Sequence, residues 1–189
     1  MFNLIVAVIS IALIAALAAA SLFYGGDSFA KSSARAEAAT LISQAQQVAG
    51  AAALFRIDNA GASVSSTEPD CSTGTQSACA ITRLVDGGYL QAKPVAPLQI
   101  VSKDPLSLGW VRTWSISQDG DSVYVFLNED NQNGICAEVE RQGGAPRTSV
   151  TGTLTTEDFG LDDLSLPPFR CADLDLGGGL ILTAFGYRI

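Results

Sequence analysis

Residues 2–24 read FNLIVAVISIALIAALAAASLFY, twenty-three positions without a charge. As an α-helix rising about 1.5 Å per residue, this stretch reaches roughly 35 Å, enough to cross a hydrocarbon core of about 30 Å. A cleavable secretory signal opens on a basic segment, has a shorter apolar core and ends in a small-residue cut site. Nothing basic precedes this run, so it is expected to stay on the protein as a transmembrane helix. Ala7, Ser10, Ala12, Ala15, Ala16, Ala18, Ala19, Ala20 and Ser21 line it with small side chains. These let helix backbones approach closely where no hydrophobic force drives association, so the segment suits helix–helix assembly as well as simple anchoring.

Working outward, Gly25 and Gly26 fall where the apolar character ends, and Asp27 or Ser28 is placed to cap a renewed helix. The expectation is two helical halves, residues 1–26 and 27–60, joined flexibly at Gly25-Gly26. In the second half Leu41, Ala45, Val48, Ala52 and Phe55 recur at spacings of three and four among Lys31, Arg35, Glu37, Gln44, Gln46 and Gln47. That is an amphipathic stripe requiring a partner surface. Asn59, Ala60 and Gly61 are the stop.

The remaining length suits one globular head, residues 61–189. All 11 Lys and Arg and all 19 Asp and Glu lie after Gly26, so the net charge of −8 belongs outside the apolar segment. An acidic surface of this kind argues against nucleic acid as a partner. With no histidine, the usual triads and zinc hydrolase sites are excluded. Four cysteines, Cys71, Cys79, Cys136 and Cys171, show no C-x-x-C spacing and read as disulfides in an oxidising compartment. Three pairings are open. Cys71 with Cys79 and Cys136 with Cys171 is favoured because each closes within a contiguous region, the longer loop contributing roughly 4 kcal/mol. Lys31 and Arg35 follow the apolar run while nothing basic precedes it, the reverse of what an exported C-terminal side requires. Removal of a short basic leader before Met1 would reconcile the two.

Within the head, residues 61–80 are small and polar and read as an exposed loop. Residues 81–89 suggest a short helix closed by Gly87 and Gly88, and residues 93–105 a proline-punctuated connection. Residues 110–117 and 122–127 predict a β-hairpin turning at Gln118-Asp119-Gly120-Asp121. Residues 135–141 predict a short helix carrying Cys136. Residues 149–155 and 180–187 predict further strands, completing an α+β fold with a mostly antiparallel sheet packed on a long helix.

Other patterns yield less. Glu129, Asn131, Asn133, Gly134 and Glu140 have the spacing of a calcium-binding loop, but the same residues make ordinary turns, and no metal site is assigned. Asp162-Asp163 and Asp173-Leu174-Asp175 read as solvated loop acids. Trp110 and Trp114 read as core aromatics rather than a sugar platform. No nucleophile stands beside a base and no phosphate-binding loop is present, so no enzyme, and no cofactor, is expected.

With this order of elements the chain resembles a type IV pilin, closest to the larger type IVb class. The residues that carry the resemblance are Met1-Phe2-Asn3-Leu4-Ile5-Val6, the apolar and then amphipathic helix, and the late cysteine pair. The resemblance implies an N-terminal spine, a connecting αβ loop over residues 61–108, and a sheet over residues 109–189 whose C-terminal region is bounded by Cys136 and Cys171. It further implies insertion in the bacterial inner membrane, transfer to a pilus assembly machinery, and polymerisation with copies of itself into an extracellular filament. The core of that filament would include Phe2, Ile5, Val6, Ser10, Ala15, Ala16 and Ala19. The chain departs from the family in lacking the glutamate near the start: the corresponding position is Ile5 or Val6, depending on where the mature chain begins. The other reading is a monomeric periplasmic binding or assembly module held by one membrane anchor.

Overall fold

The structure, a computed structural model, describes residues 2–64, 76–96, 114–117, 119–127, 132–151, 161–175 and 181–189. Helix α1 (Phe2–Asp58) is followed by α2 (Gln76–Asp86), β1 (Ser115–Ile116), β2 (Ser122–Leu127), α3 (Gln132–Arg141), β3 (Ala145–Thr151), β4 (Phe169–Asp175) and β5 (Ile181–Arg188). The fold is α+β: a long N-terminal helix on a five-stranded mixed sheet, with a disulfide.

At 57 residues α1 is about 85 Å long, and it runs through Gly25 and Gly26 without the expected interruption. Two glycines cost a helix roughly 2 kcal/mol relative to alanine, whereas nucleating a second helix costs about 4 kcal/mol for a nucleation constant near 10⁻³. Continuity is the cheaper solution, and no second helix start falls at Asp27 or Ser28. Replacing both glycines with alanine should therefore strengthen α1 locally, seen as slowed amide exchange near residues 22–29, with no change in the melting temperature of the head. Faster exchange there would contradict the continuous helix.

The C-terminal end of α1 lies where the sequence puts it. Ala60 and Gly61 take positive φ (55° and 89°). The Gly61 N–H donates to the Arg56 carbonyl at 2.7 Å and the Asn59 side-chain amide to that of Phe55 at 2.9 Å, closing the last turn. The predicted stripe Leu41, Ala45, Val48, Ala52 and Phe55 is fully buried, extended by Ala38 and Ala51.

The sheet order is β1-β2-β5-β4-β3, so the C-terminal strand is central. Alternation assigns its faces. Val123, Tyr187 and Phe169 lie in register across the first row, Val125, Phe185 and Cys171 across the second, and Leu127, Thr183 and Asp173 across the third. The apolar members of these rows join the α1 stripe in one core with Trp114, Ile116, Ile135 and Val139. Trp114 meets Phe185 edge-on at 6.2 Å, and its indole N–H donates to the Gln44 side chain at 3.0 Å. Tyr124, Phe126, Ala172, Ala184 and Leu161 form a smaller cluster.

Several expectations need correction. The sheet is mixed, because β3 runs parallel to β4. Parallel neighbours need a crossover of a dozen or more residues, and residues 152–168 supply it. β3 begins at Ala145, earlier than expected, and residues 152–155 lie outside the described residues. The hairpin is present, with Gly120 at φ 79° in its turn and its N–H on the Ser117 carbonyl, but β1 is two residues long and residues 110–113 lie outside the described residues. Helix α2 starts at Gln76, inside the segment read as an exposed loop, and buries Ala80, Ile81 and Leu84. The predicted helix carrying Cys136 is α3, which begins three residues earlier than expected. Its helical backbone from Gln132 precludes the calcium-loop conformation that Glu129–Glu140 spacing would need; Glu140 instead accepts the Arg147 backbone N–H at 2.8 Å. Asp173 and Asp175 belong to β4, not to a loop.

Candidate assembly surface and the clamp beneath it

The largest unsatisfied demand on the molecule is the first half of α1. Ile5, Val6, Val8, Ile9, Ile11, Leu13, Ile14 and Leu17 are between 53% and 69% exposed, and they occupy every side of the helix. Ser10, Ala15, Ala16 and Ala19 are exposed among them. The head closes its own core from Ala34 onward without using any of these residues. The two hydroxyls in the segment are already satisfied: Ser10 Oγ donates to the Val6 carbonyl at 2.8 Å and Ser21 Oγ to that of Ala18 at 2.9 Å. A surface apolar all round with its polar groups turned inward is suited to lipid or to other helices.

Among the described residues no helix is long and apolar enough to cross a membrane. Side chains of this half are described over residues 5–21, about 25 Å of helix, while the uncharged sequence continues to Tyr24. Phe2 lies in the α1 backbone, and its side chain is outside the described set, as are those of the Gly25-Gly26 region.

Where α1 enters the head, α3 holds it. Arg35 Nε donates to Glu138 Oε1 at 2.9 Å, Arg141 reaches the other carboxylate oxygen, and the Gln142 side-chain amide donates to the Arg35 carbonyl at 3.2 Å. Glu138 is buried while both arginines keep most of their surface in water. The Arg35 hydrogen bond holds the Glu138 carboxyl below its ordinary value of 4.5 against the upward push of burial, with Arg141 helping. A carboxylate whose folded pKa is depressed stabilises the fold above its unfolded pKa, and that stabilisation disappears as pH falls through the folded value. Glu138→Gln should therefore lower the melting temperature at pH 7, and the gap from wild type should close as pH drops below 4.5. A gap independent of pH would mean that the ion pair is not its source.

The disulfide Cys136–Cys171 fixes α3 to the sheet two residues before Glu138, with both sulfur-bearing residues buried. Cys79 is disulfide-bonded and half-buried; its expected partner Cys71 lies outside the described residues. At the other end of the head Arg56 donates to Asp121 Oδ1 at 2.9 Å and to the Gly120 carbonyl at 3.2 Å, tying the end of α1 to the hairpin turn. On the third row of the sheet Asp173 accepts from Thr183 Oγ1 at 2.6 Å and pairs with Arg147.

Arg141–Glu138 is an i,i+3 pair on α3, but the other three ion pairs join residues 26 to 103 positions apart, and no local motif announces them. The one local signal was alternation in β4, where Phe169, Cys171 and Asp173 fall on one face. A groove of about 920 Å³ beside α1 is lined by Thr40, Ser43, Gln44, Gln47, Tyr89 and Lys93 among others, with no carboxylate among the described residues of its wall. It offers amides and hydroxyls for hydrogen bonding. Compared with protein-family models, curated proteins and solved structures, the chain matches none.

Proposed function

We propose that this chain is a structural subunit of an extracellular filament of the type IV pilus kind. The subunit waits in the bacterial inner membrane, is passed to a pilus assembly machinery, and polymerises with copies of itself through the apolar half of α1. The observation that carries this reading is the contrast along one helix: residues 5–21 are exposed on all sides, while the stripe of Ala38, Leu41, Ala45, Val48, Ala52 and Phe55 is sealed into a head complete without them. A long spine on a sheet with a late disulfide supports the same reading. The small side chains at Ala15, Ala16 and Ala19 favour helix neighbours over lipid alone.

One observation favours the second reading, a monomeric anchored periplasmic module: Ile5 and Val6 offer no acid to pair with a neighbour's amino terminus. Electron microscopy of material sheared from cells producing the chain separates the two. Filaments containing the protein are expected; membrane-bound protein with no extracellular polymer would favour the anchored module.

A further inference from the structure

Between the apolar half of α1 and Ser33, the first residue that the head half-buries, lies a bare collar of five exposed residues, Ser28, Phe29, Ala30, Lys31 and Ser32. Phe29 is 76% exposed, in a helix whose next apolar stripe is completely buried. We propose that this collar docks in the headgroup layer of a phospholipid bilayer, with the Phe29 ring at the acyl boundary and the Lys31 ammonium on lipid phosphates. It thereby sets the depth to which α1 inserts. The inference rests on the membrane stage of the proposed function and adds to it a specific contact and a fixed depth.

Position along the helix is the first argument. Phe29 follows Tyr24 by about 7.5 Å and Lys31 by about 10 Å, while the interfacial layer beyond the hydrocarbon is roughly 5–8 Å thick on each side. Side-chain direction closes the difference, because helical side chains lean toward the N-terminus, here toward the apolar half. The phenyl ring and the four-carbon lysine stem thus reach back to the boundary, the ring favouring its apolar side and the ammonium its charged side. Charge is the third argument. Arg35, one turn further on, is engaged by the buried Glu138, whereas Lys31 is exposed. The chain carries a net charge of −8 with every acid beyond Gly26, so the rest of the head is held off a layer of phosphates by like charge.

The test uses the full chain in vesicles of phosphatidylcholine and phosphatidylglycerol, with a nitroxide on a single added cysteine. Ala30→Cys reports the collar, Leu17→Cys the apolar half and Ile57→Cys the far end of α1; no described cysteine is free to take the label. The ratio of oxygen to nickel-chelate collision rates is expected to be highest at 17, lowest at 57 and intermediate at 30. Adding Phe29→Ser and Lys31→Ser should bring the ratio at 30 down to that at 57 while 17 stays in lipid. A label at 30 that matches 57 in the otherwise unaltered collar, matches 17, or ignores the double substitution overturns the proposal. A label at 17 that matches 57 removes the membrane reading itself, and the collar with it.

Discussion

Replacing Ala15 and Ala16 together with leucine should abolish the filaments while leaving the protein in the membrane. Leucine keeps or raises hydrophobicity, so partition into lipid survives the change. In a filament the same positions are crowded by neighbouring helices, and overpacking a close contact costs about 1–3 kcal/mol at each site. Two sites give roughly 2–6 kcal/mol per subunit, which at about 1.4 kcal/mol per tenfold weakens each subunit contact by some 30- to 10⁴-fold. Polymer length multiplies the defect, since every subunit carries it. Membrane fractionation and electron microscopy of sheared material read the two outcomes separately. Normal filaments from the double variant would show that Ala15 and Ala16 do not line the contacts, and the anchored module would then explain the exposed helix better.

The second large effect concerns Cys136–Cys171. The bridge spans 35 residues and closes a loop containing all of β3. On the loop-entropy account its removal costs about 4 kcal/mol, a large share of the roughly 5–15 kcal/mol by which a domain is stable. Cys136→Ala with Cys171→Ala avoids placing hydroxyls in the core and isolates the loss of the cross-link. At about 2–4 °C per kcal/mol for a head of this size, the melting temperature should fall by roughly 8–16 °C. The release should be felt first at the clamp, because α3 then reaches the sheet only through packing and the Glu140–Arg147 hydrogen bond, and Glu138 loses its rigid support. A melting temperature unchanged within a degree or two would mean that α3 is held by its apolar contacts, Ile135 and Val139, without help from the bridge.

Much of this fold was legible in the sequence, and the reasons are local. The stripe from Leu41 to Phe55, the stop at Asn59-Ala60-Gly61, the turn at Asp119-Gly120 and the late cysteine pairing all follow from period, propensity or loop length. What stayed hidden depends on distant partners. Asp173 looks like a loop acid until Arg147 and Thr183 are placed beside it, and only then does β4 read as a strand. The parallel pairing of β3 with β4 is a relation between two strands, and nothing within β3 itself announces it. Gly25-Gly26 misled for a different reason: propensity marks them as weak points, but two halves of one helix need no second nucleus. As for the assembly surface, its apolar residues are named by the sequence, whereas their separation from the core became visible only once the head was closed without them.

Because β5 lies in the middle of the sheet, between β2 and β4, the sheet cannot close in the order in which its strands are made. The strand that joins the two sides of the sheet, Ile181–Arg188, is made after all the other described strands. The apolar half of α1 is made before the head, and at about 5–20 residues per second the head follows over roughly 10–30 s. For all of that interval the greasiest part of the molecule exists without the head that will later solubilise it, and β2 has an open edge where its central neighbour belongs. The N-terminal helix must therefore find its apolar surroundings as a nascent segment, long before there is a folded protein to deliver it.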